Sequence, residues 1–308
     1  METRRIGTSD LYVSKLGLGC MSLGTDYNSA AQIIQTALDE GINYFDTADL
    51  YDRGENESIV GKALKPVRDK VIIATKVGNK WNQNRDGWTW DPSKTHIKSA
   101  VKMSLQRLQT DYIDLYQLHG GTLEDNIEET IEAFEELKKE GYIRYYGISS
   151  IRPNVIGRFV EKAAGLVSNM MQYSILDRRP EEFMPLYDQK QISLIARGPV
   201  AKGLLTSKML EKASGKVKQD GYLYYSYEEL EQTLNELNKL FPDRTLNEVA
   251  LQYILAHSSV ASCIPGASTA AQLKENIKAA NGKPLNEAEL RGIKAISKAD
   301  IYTEHRNG

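Results

Sequence analysis

Short apolar runs rich in β-branched residues alternate along the whole chain with stretches whose apolar positions recur at helical spacing. Eight runs stand out: Leu16–Cys20, Tyr44–Ala48, Val71–Lys76, Ile113–His119, Ile143–Ser149, Val167–Tyr173, Ile192–Arg197 and Val260–Pro265. The alternation predicts parallel strands joined by helical crossovers. Val71-Ile72-Ile73-Ala74 is continuously apolar, as in a strand covered on both faces, so the sheet is expected to be buried.

Helix starts are marked between the strands. Ser29 with Gln32, and Thr122 with Asp125, have the spacing of a capping box, and Asp91-Pro92 reads as an N-cap followed by proline at the first helical position. Within Leu123–Glu140, the residues Ile127, Ile131, Phe134 and Leu137 fall on one face. Lys138 and Lys139 sit in the last turn of that helix, where they oppose its dipole, and Gly141 follows as its stop.

Eight strands with intervening helices, and no linker rich in Pro, Gly or Ser, predict one (β/α)8 TIM barrel of α/β class spanning residues 1–308 as a single domain. Residues 3–15 precede the first barrel strand, and the turn at Gly7–Asp10 between two β-prone pieces predicts a hairpin closing the barrel floor. Val77–Trp90 and Gly198–Tyr225 exceed ordinary loop length and follow strands, so both belong to the face where barrel enzymes work.

Composition narrows the function classes. The 308 residues carry 39 Lys and Arg against 41 Asp and Glu, a net charge of −2, and 41% are hydrophobic. Disorder is excluded, and the basic footprint of a nucleic-acid or anionic-membrane binder is absent. No window approaches the ~20 apolar residues of a membrane-spanning helix, and no apolar stretch follows Arg4-Arg5. Cys20 and Cys263 stand far apart with no second thiol near either, which fits a reducing cytoplasm and gives neither a disulfide framework nor a zinc site.

Polar residues at the C-terminal ends of barrel strands point into one mouth. The second run ends in Phe45-Asp46-Thr47-Ala48 and leads to Leu50-Tyr51; the third ends in Thr75-Lys76; the fourth ends in Gln117-Leu118-His119. Each alone suits a turn former, a solvated amine or a packing imidazole. Together they form a device: a buried ammonium beside a phenolic oxygen stabilises phenolate, and a carboxylate keeps the ammonium charged. A tyrosine so placed can act as a general acid.

The segments Phe45-Asp46-Thr47-Ala48-Asp49-Leu50-Tyr51, Gly54-Glu55-Asn56-Glu57, Ala74-Thr75-Lys76 and Leu115-Tyr116-Gln117-Leu118-His119 resemble the aldo-keto reductase family, and the match extends over almost the whole chain. The resemblance implies NAD(P)H-dependent reduction of aldehydes and ketones by direct hydride transfer, without a metal. It implies a tetrad in which Tyr51 protonates the carbonyl oxygen, Lys76 tunes Tyr51, Asp46 holds Lys76 and His119 orients the substrate.

It also implies the cofactor contacts. Gly19, Cys20 and Met21 resemble the segment passing the nicotinamide, and Ser149 and Gln172 resemble the holders of its carboxamide. Arg197, Gly198 and Pro199 follow the seventh strand, where relatives place an aromatic that stacks on the ring, and a guanidinium can also stack. Gly266, Ser268, Gln272, Glu275 and Asn276 resemble the clamp on the adenosine phosphates. Ser268 and Gln272 stand where many relatives carry an Arg for the 2′-phosphate, so NADPH is the cofactor the family implies and NADH stays open. The partner implied is a small carbonyl substrate, with neither nucleic acid nor membrane, and a monomer is the expected state.

Trp81, Trp88 and Trp90 all fall in the loop after Lys76, where they either wall a substrate site or anchor the loop. Tyr222, Tyr224, Tyr225 and Tyr227 close the other long loop as a candidate lid. Rival classes fit less well. Gly17-Leu18-Gly19-Cys20-Met21 begins like a dinucleotide fingerprint, yet position 22 is Ser where the third glycine belongs. No tyrosine precedes a lysine by four residues as in short-chain reductases, and the four histidines are too scattered for a metal hydrolase. The alternative from another class is a cofactor-binding regulatory subunit similar to the potassium-channel β-subunits of the same family.

Overall fold

The computed structural model describes residues 1–82, 84 and 86–306. The chain opens with an antiparallel pair, β1 (Thr3–Arg5) and β2 (Tyr12–Ser14), joined through the turn at Gly7–Asp10. Then follow β3 (Leu18–Gly19), α1 (Tyr27–Asp39), β4 (Tyr44–Asp46), α2 (Glu55–Leu64) and β5 (Ile72–Val77). A second hairpin, β6 (Asn79–Trp81) and β7 (Trp88–Trp90), precedes α3 (Lys94–Leu108), β8 (Ile113–Leu118), α4 (Ile127–Lys139) and β9 (Ile143–Ile148). The second half comprises α5 (Pro153–Lys162), β10 (Leu166–Gln172), α6 (Met184–Lys190), β11 (Ser193–Arg197), α7 (Gly215–Asp220), α8 (Tyr227–Leu240), α9 (Leu246–Leu255), β12 (Val260–Ile264), α10 (Ala270–Ala280) and α11 (Glu287–Ile296).

Strands β3, β4, β5, β8, β9, β10, β11 and β12 pair in parallel in that order. The barrel closes where Gly17 N donates to Cys263 O at 2.9 Å and Cys263 N donates to Lys15 O at 3.0 Å. Each of the eight apolar runs overlaps one of these strands, with β5 running one residue past its run and β10 starting one residue before its own, and the expected (β/α)8 architecture is the one observed.

Two apolar sets hold it. One fills the space between strands and helices; the other fills the barrel, where Ile6, Leu11 and Val13 of the hairpin meet Tyr44, Leu115, Met170 and Ile195. The hairpin is therefore the floor of the barrel, pinned by Gly7 N donating to Ser193 Oγ at 2.8 Å. Gly7 is required there: its φ is +50° and a Cβ would lie 2.4 Å from Val167 O. Among the described residues no helix is long and apolar enough to cross a membrane.

Helix α4 matches its pattern, with Ile127, Phe134 and Leu137 buried, Ile131 half-buried and Gly141 at φ +81° beyond its end. Three caps differ from expectation. Asp26, three residues upstream of Ser29, caps α1 and accepts from Ser29 N at 2.9 Å. Ser93 caps α3, while Asp91 Oδ1 accepts from Ser93 N and so braces the residue before the helix. Asn126 caps α4; Thr122 N and Oγ1 both donate to the Asp125 carboxylate, closing a turn ahead of the helix. In each case several Ser, Thr, Asp and Asn residues lie within one turn, and spacing alone does not say which one leaves the helix.

Candidate active site

The C-terminal ends of the strands open into one cavity of ≈ 660 Å³, which Asp46, Tyr51, Lys76 and His119 all line. Lys76 Nζ donates to Asp46 Oδ1 at 2.5 Å and to Thr47 O at 2.7 Å, and lies 3.5 Å from the Tyr51 hydroxyl. Gln117 Nε2 donates to Asp46 Oδ2 at 3.2 Å, completing the carboxylate's partners. The His119 ring stands edge-on to that of Tyr51, centroids 6.0 Å apart.

Local sequence explains this convergence. Asp46, Lys76 and Gln117 sit on β4, β5 and β8, neighbours in the barrel with Lys76 registered to Gln117, so their side chains meet in one layer. Tyr51 comes from the turn after β4, where Asp52, Arg53 and Gly54 take φ of 48°, 59° and 89°. A Cβ at Gly54 would meet Arg107 at 2.9 Å, and two non-glycine residues in left-handed conformation mark a turn held by its surroundings. The first turn of α2 supplies the hold. Thr47 Oγ1 donates to Asn56 Oδ1 (2.7 Å) and Asn56 Nδ2 to Cys20 O (2.9 Å). Thr75 Oγ1 and Arg107 Nε each donate to the buried Glu57 carboxylate at 2.6 Å.

Burial by itself would pull Lys76 down, yet the Asp46 carboxylate, then Tyr51, raise it above its ordinary value. Burial pushes the Asp46 carboxyl up against the opposing pull of Lys76 and Gln117. At 2.5 Å the attraction decides, and the pair is charged at neutral pH. Burial first, then the Lys76 and Arg197 charges, push His119 down to about 3, so its imidazole is neutral. Its Nδ1 is buried without a partner, while its backbone N donates to Val77 O at 2.7 Å.

The other expected residues divide. Gly19, Met21, Ser149, Gln172, Arg197, Gly198 and Gly266 line the same cavity. Cys20 does not: it is wholly buried in the core and its thiol is pushed well above the usual range by burial, so only its carbonyl serves the site, through Asn56. The strand ends at Gly19 and a tight turn follows, which exposes residues 19 and 21 and turns residue 20 inward. Pro199 is likewise buried behind Gly198 and does not line the cavity. Ser268, just before α10, and Gln272, Glu275 and Asn276, within it, do not line the cavity. There Ser268 N and Oγ both donate to Gln272 Oε1 at 2.9 Å, Glu275 is exposed, and buried Asn276 accepts from Asn247 Nδ2 at 3.1 Å.

Of the tryptophans, Trp88 and Trp90 line the cavity from the β6–β7 hairpin, whereas Trp81 is not among its walls. Tyr222 reaches the cavity; Tyr225 is buried, its hydroxyl accepting from Lys298 N at 2.7 Å, and Tyr224 is exposed. Sequence reasoning missed Arg152 and Lys202, two further cations on the cavity wall, because each lies past a strand end in an irregular segment. Among the described residues no group of three or more His, Cys, Asp or Glu could hold a metal ion.

Fold and mouth together define a (β/α)8 barrel of the enzyme class whose side chains converge at the strand C-terminal ends. The Aldo/keto reductase family model matches residues 15–298, and the chain belongs to that family of oxidoreductases, whose members use nicotinamide cofactors. It is 60% identical over 307 residues to an uncharacterized oxidoreductase, YqkF, of Bacillus subtilis (strain 168), covering 100% of both chains. The holo form of aldo-keto reductase AKR11C1 from Bacillus halodurans superposes with a TM-score of 0.94 at 56% identity, with 100% of each chain covered. A probable voltage-gated potassium channel subunit beta of Arabidopsis thaliana is 30% identical, covering 92% of this chain and 93% of that protein.

Proposed function

We propose that this protein reduces aldehydes or ketones to alcohols with a nicotinamide nucleotide, NADPH in first place, and that Tyr51 is the proton donor. The observation that carries the reading is the buried Lys76 ammonium held between Asp46 and the Tyr51 hydroxyl on the wall of a ≈ 660 Å³ cavity.

The residues present fit such a nucleotide. A Cβ at Gly19 would crowd Ile264 O at 3.2 Å and one at Gly266 would meet Ser22 Oγ at 2.4 Å, so glycine lets the segments after β3 and β12 pack closely at the cavity rim. Ser149 and Gln172 offer the hydroxyl and amide that suit a carboxamide, Arg197 offers a guanidinium that can stack on the nicotinamide ring, and Lys202 offers a cation that suits a phosphate-bearing group. A bound nicotinamide supplies the hydride. The chain's own residues handle the proton and the substrate oxygen. Tyr51 donates its phenolic proton to that oxygen, and the Lys76 charge stabilises the phenolate left behind. Asp46 holds Lys76 in place, and neutral His119 offers its free ring edge to orient the carbonyl. Trp88 and Trp90 form an apolar wall that limits water at the reacting centre.

The test is NADPH and NADH consumption with a panel of simple aldehydes and ketones, followed by absorbance. Sustained turnover supports the reading. Tight nucleotide binding with negligible turnover and a stable oligomer would favour the regulatory-subunit reading, which rests on the potassium-channel relative.

A further inference from the structure

Gln172 stands at the cavity between two partners of opposite hydrogen-bonding character. Its Nε2 donates to Asp177 Oδ2 at 3.0 Å, and its Oε1 accepts from Arg197 Nη1 at 3.2 Å. A carboxylate can only accept and a guanidinium can only donate, so the amide has one orientation that satisfies both. Asp177 is itself immobilised. Its backbone closes a tight turn with Ser174, Asp177 N donating to Ser174 O at 3.0 Å and Ser174 N to Asp177 O at 3.2 Å. Arg179 grips its carboxylate twice, Nε to Oδ1 at 2.7 Å and Nη2 to Oδ2 at 2.8 Å. Arg179 in turn lies against the Tyr302 ring, 4.4 Å from its centroid.

We propose that Asp177 is a positioning residue for cofactor binding: it fixes the direction of the Gln172 amide, and through Gln172 it holds Arg197 at the cavity. The proposal rests on the reading that Gln172 and Arg197 face the nicotinamide. Asp177 does not line the cavity; its hydrogen bond to Gln172 links it to the cavity wall. In this orientation the Oε1 that accepts from Arg197 keeps a second lone pair, with which Gln172 can accept from the amino group of a carboxamide. With the amide reversed, its N–H groups would oppose the Arg197 N–H groups and expel the guanidinium.

The experiment measures NADPH affinity by Trp fluorescence, together with steady-state KM and kcat, on the full-length protein and four variants. Asp177→Asn keeps the shape but supplies a group that both donates and accepts, so Gln172 loses its fixed direction. NADPH Kd and KM are expected to rise about tenfold, the cost of one misplaced polar contact, while kcat at saturating nucleotide and its pH profile stay near wild type. In the double variant Asp177→Asn/Gln172→Glu the new amide can donate to a new carboxylate that accepts from Arg197, at the loss of one of the two Arg179 contacts. It is expected to recover part of the affinity, which a purely structural role for Asp177 would not produce.

Two controls separate the proposal from its basis. Gln172→Ala and Arg197→Ala must each weaken NADPH binding; wild-type affinity in both would refute the reading on which the proposal rests. If those two lose affinity while Asp177→Asn binds as wild type, the proposal alone fails. Equal loss in the single and double variants would also overturn it, since Asp177 would then support the fold and not the amide.

Discussion

Lys76 Nζ and Asp46 Oδ1 form a 2.5 Å ion pair that is almost wholly out of water, with 1% and 4% of the two side chains exposed. Such a pair is costly to break from one side, because the remaining charge has no solvent to turn to; removal of one partner typically costs about 3–5 kcal/mol. Lys76→Met is expected to lower stability toward the lower end of that range, since burial already pushes the Asp46 carboxyl up and readies it to take a proton. Turnover should fall by about 10²–10⁴ through loss of the charge beside Tyr51. Chemical denaturation and steady-state kinetics check both. A variant with unchanged kcat and a raised KM would make Lys76 a binding residue instead.

Tyr51→Phe separates proton donation from binding. The substitution removes the hydroxyl 3.5 Å from Lys76 and leaves Ser149, Gln172 and Arg197 untouched. Carbonyl reduction should drop by about 10²–10⁴ while nucleotide titration stays at wild-type affinity. Near-normal reduction by this variant would remove Tyr51 from the role proposed for it.

How much of this could be read from the residues depends on where they sit. Asp46, Lys76 and His119 were legible because barrel topology forces the C-terminal ends of adjacent parallel strands together, whatever lies between them in sequence; the hydrogen bond from Gln117 to Asp46 was not read from the sequence. Tyr51 followed because its turn is short. Cys20 was not, because the two-residue strand Leu18–Gly19 ends in a tight turn that reverses which side chains face inward. Lys202 escaped for a related reason: its φ of 58° belongs to an irregular turn that no periodicity announces. Ser268 and Gln272 were expected by resemblance alone to clamp the adenosine phosphates, and their mutual hydrogen bonds at the start of α10 depend on helix geometry that spacing only hints at.

His119 gives a pH dependence whose direction follows from its environment. Its pKa falls to about 3 in the folded protein, through burial and then the charges of Lys76 and Arg197, against about 6.5 when unfolded. Below pH 6.5 the unfolded chain binds a proton that the folded chain refuses, so stability declines as pH falls toward 3 and is unaffected by this group above 6.5. Each unit in that window costs about 1.4 kcal/mol from His119 alone. Denaturant midpoints between pH 7 and 4 should therefore fall less steeply in His119→Gln than in the wild type. The imidazole's NMR signals should show no titration between pH 5 and 8. An inflection near 6.5 would contradict the neutral role assigned to it.

Trp90 is held from three sides, and this predicts how the cavity wall responds to change. Its Nε1 donates to Asp125 Oδ1 at 2.9 Å, and its six-membered ring lies beside Gly78 and Gly120. A Cβ at Gly78 would come within 2.5 Å of the ring, at a φ of +122° that side chains other than glycine rarely adopt. Gly78→Ala must therefore displace the indole or strain the backbone, at about 1–3 kcal/mol. Trp90→Phe keeps most of the apolar wall and loses only the N–H; Asp125 still accepts from Thr122, so the cost should be about 1 kcal/mol. Because Trp90 borders the cavity without touching the Lys76–Asp46 pair, Gly78→Ala should raise the carbonyl KM far more than it lowers kcat. The reverse pattern, an intact KM with a collapsed kcat, would mean that the hairpin positions the proton donor and not the substrate.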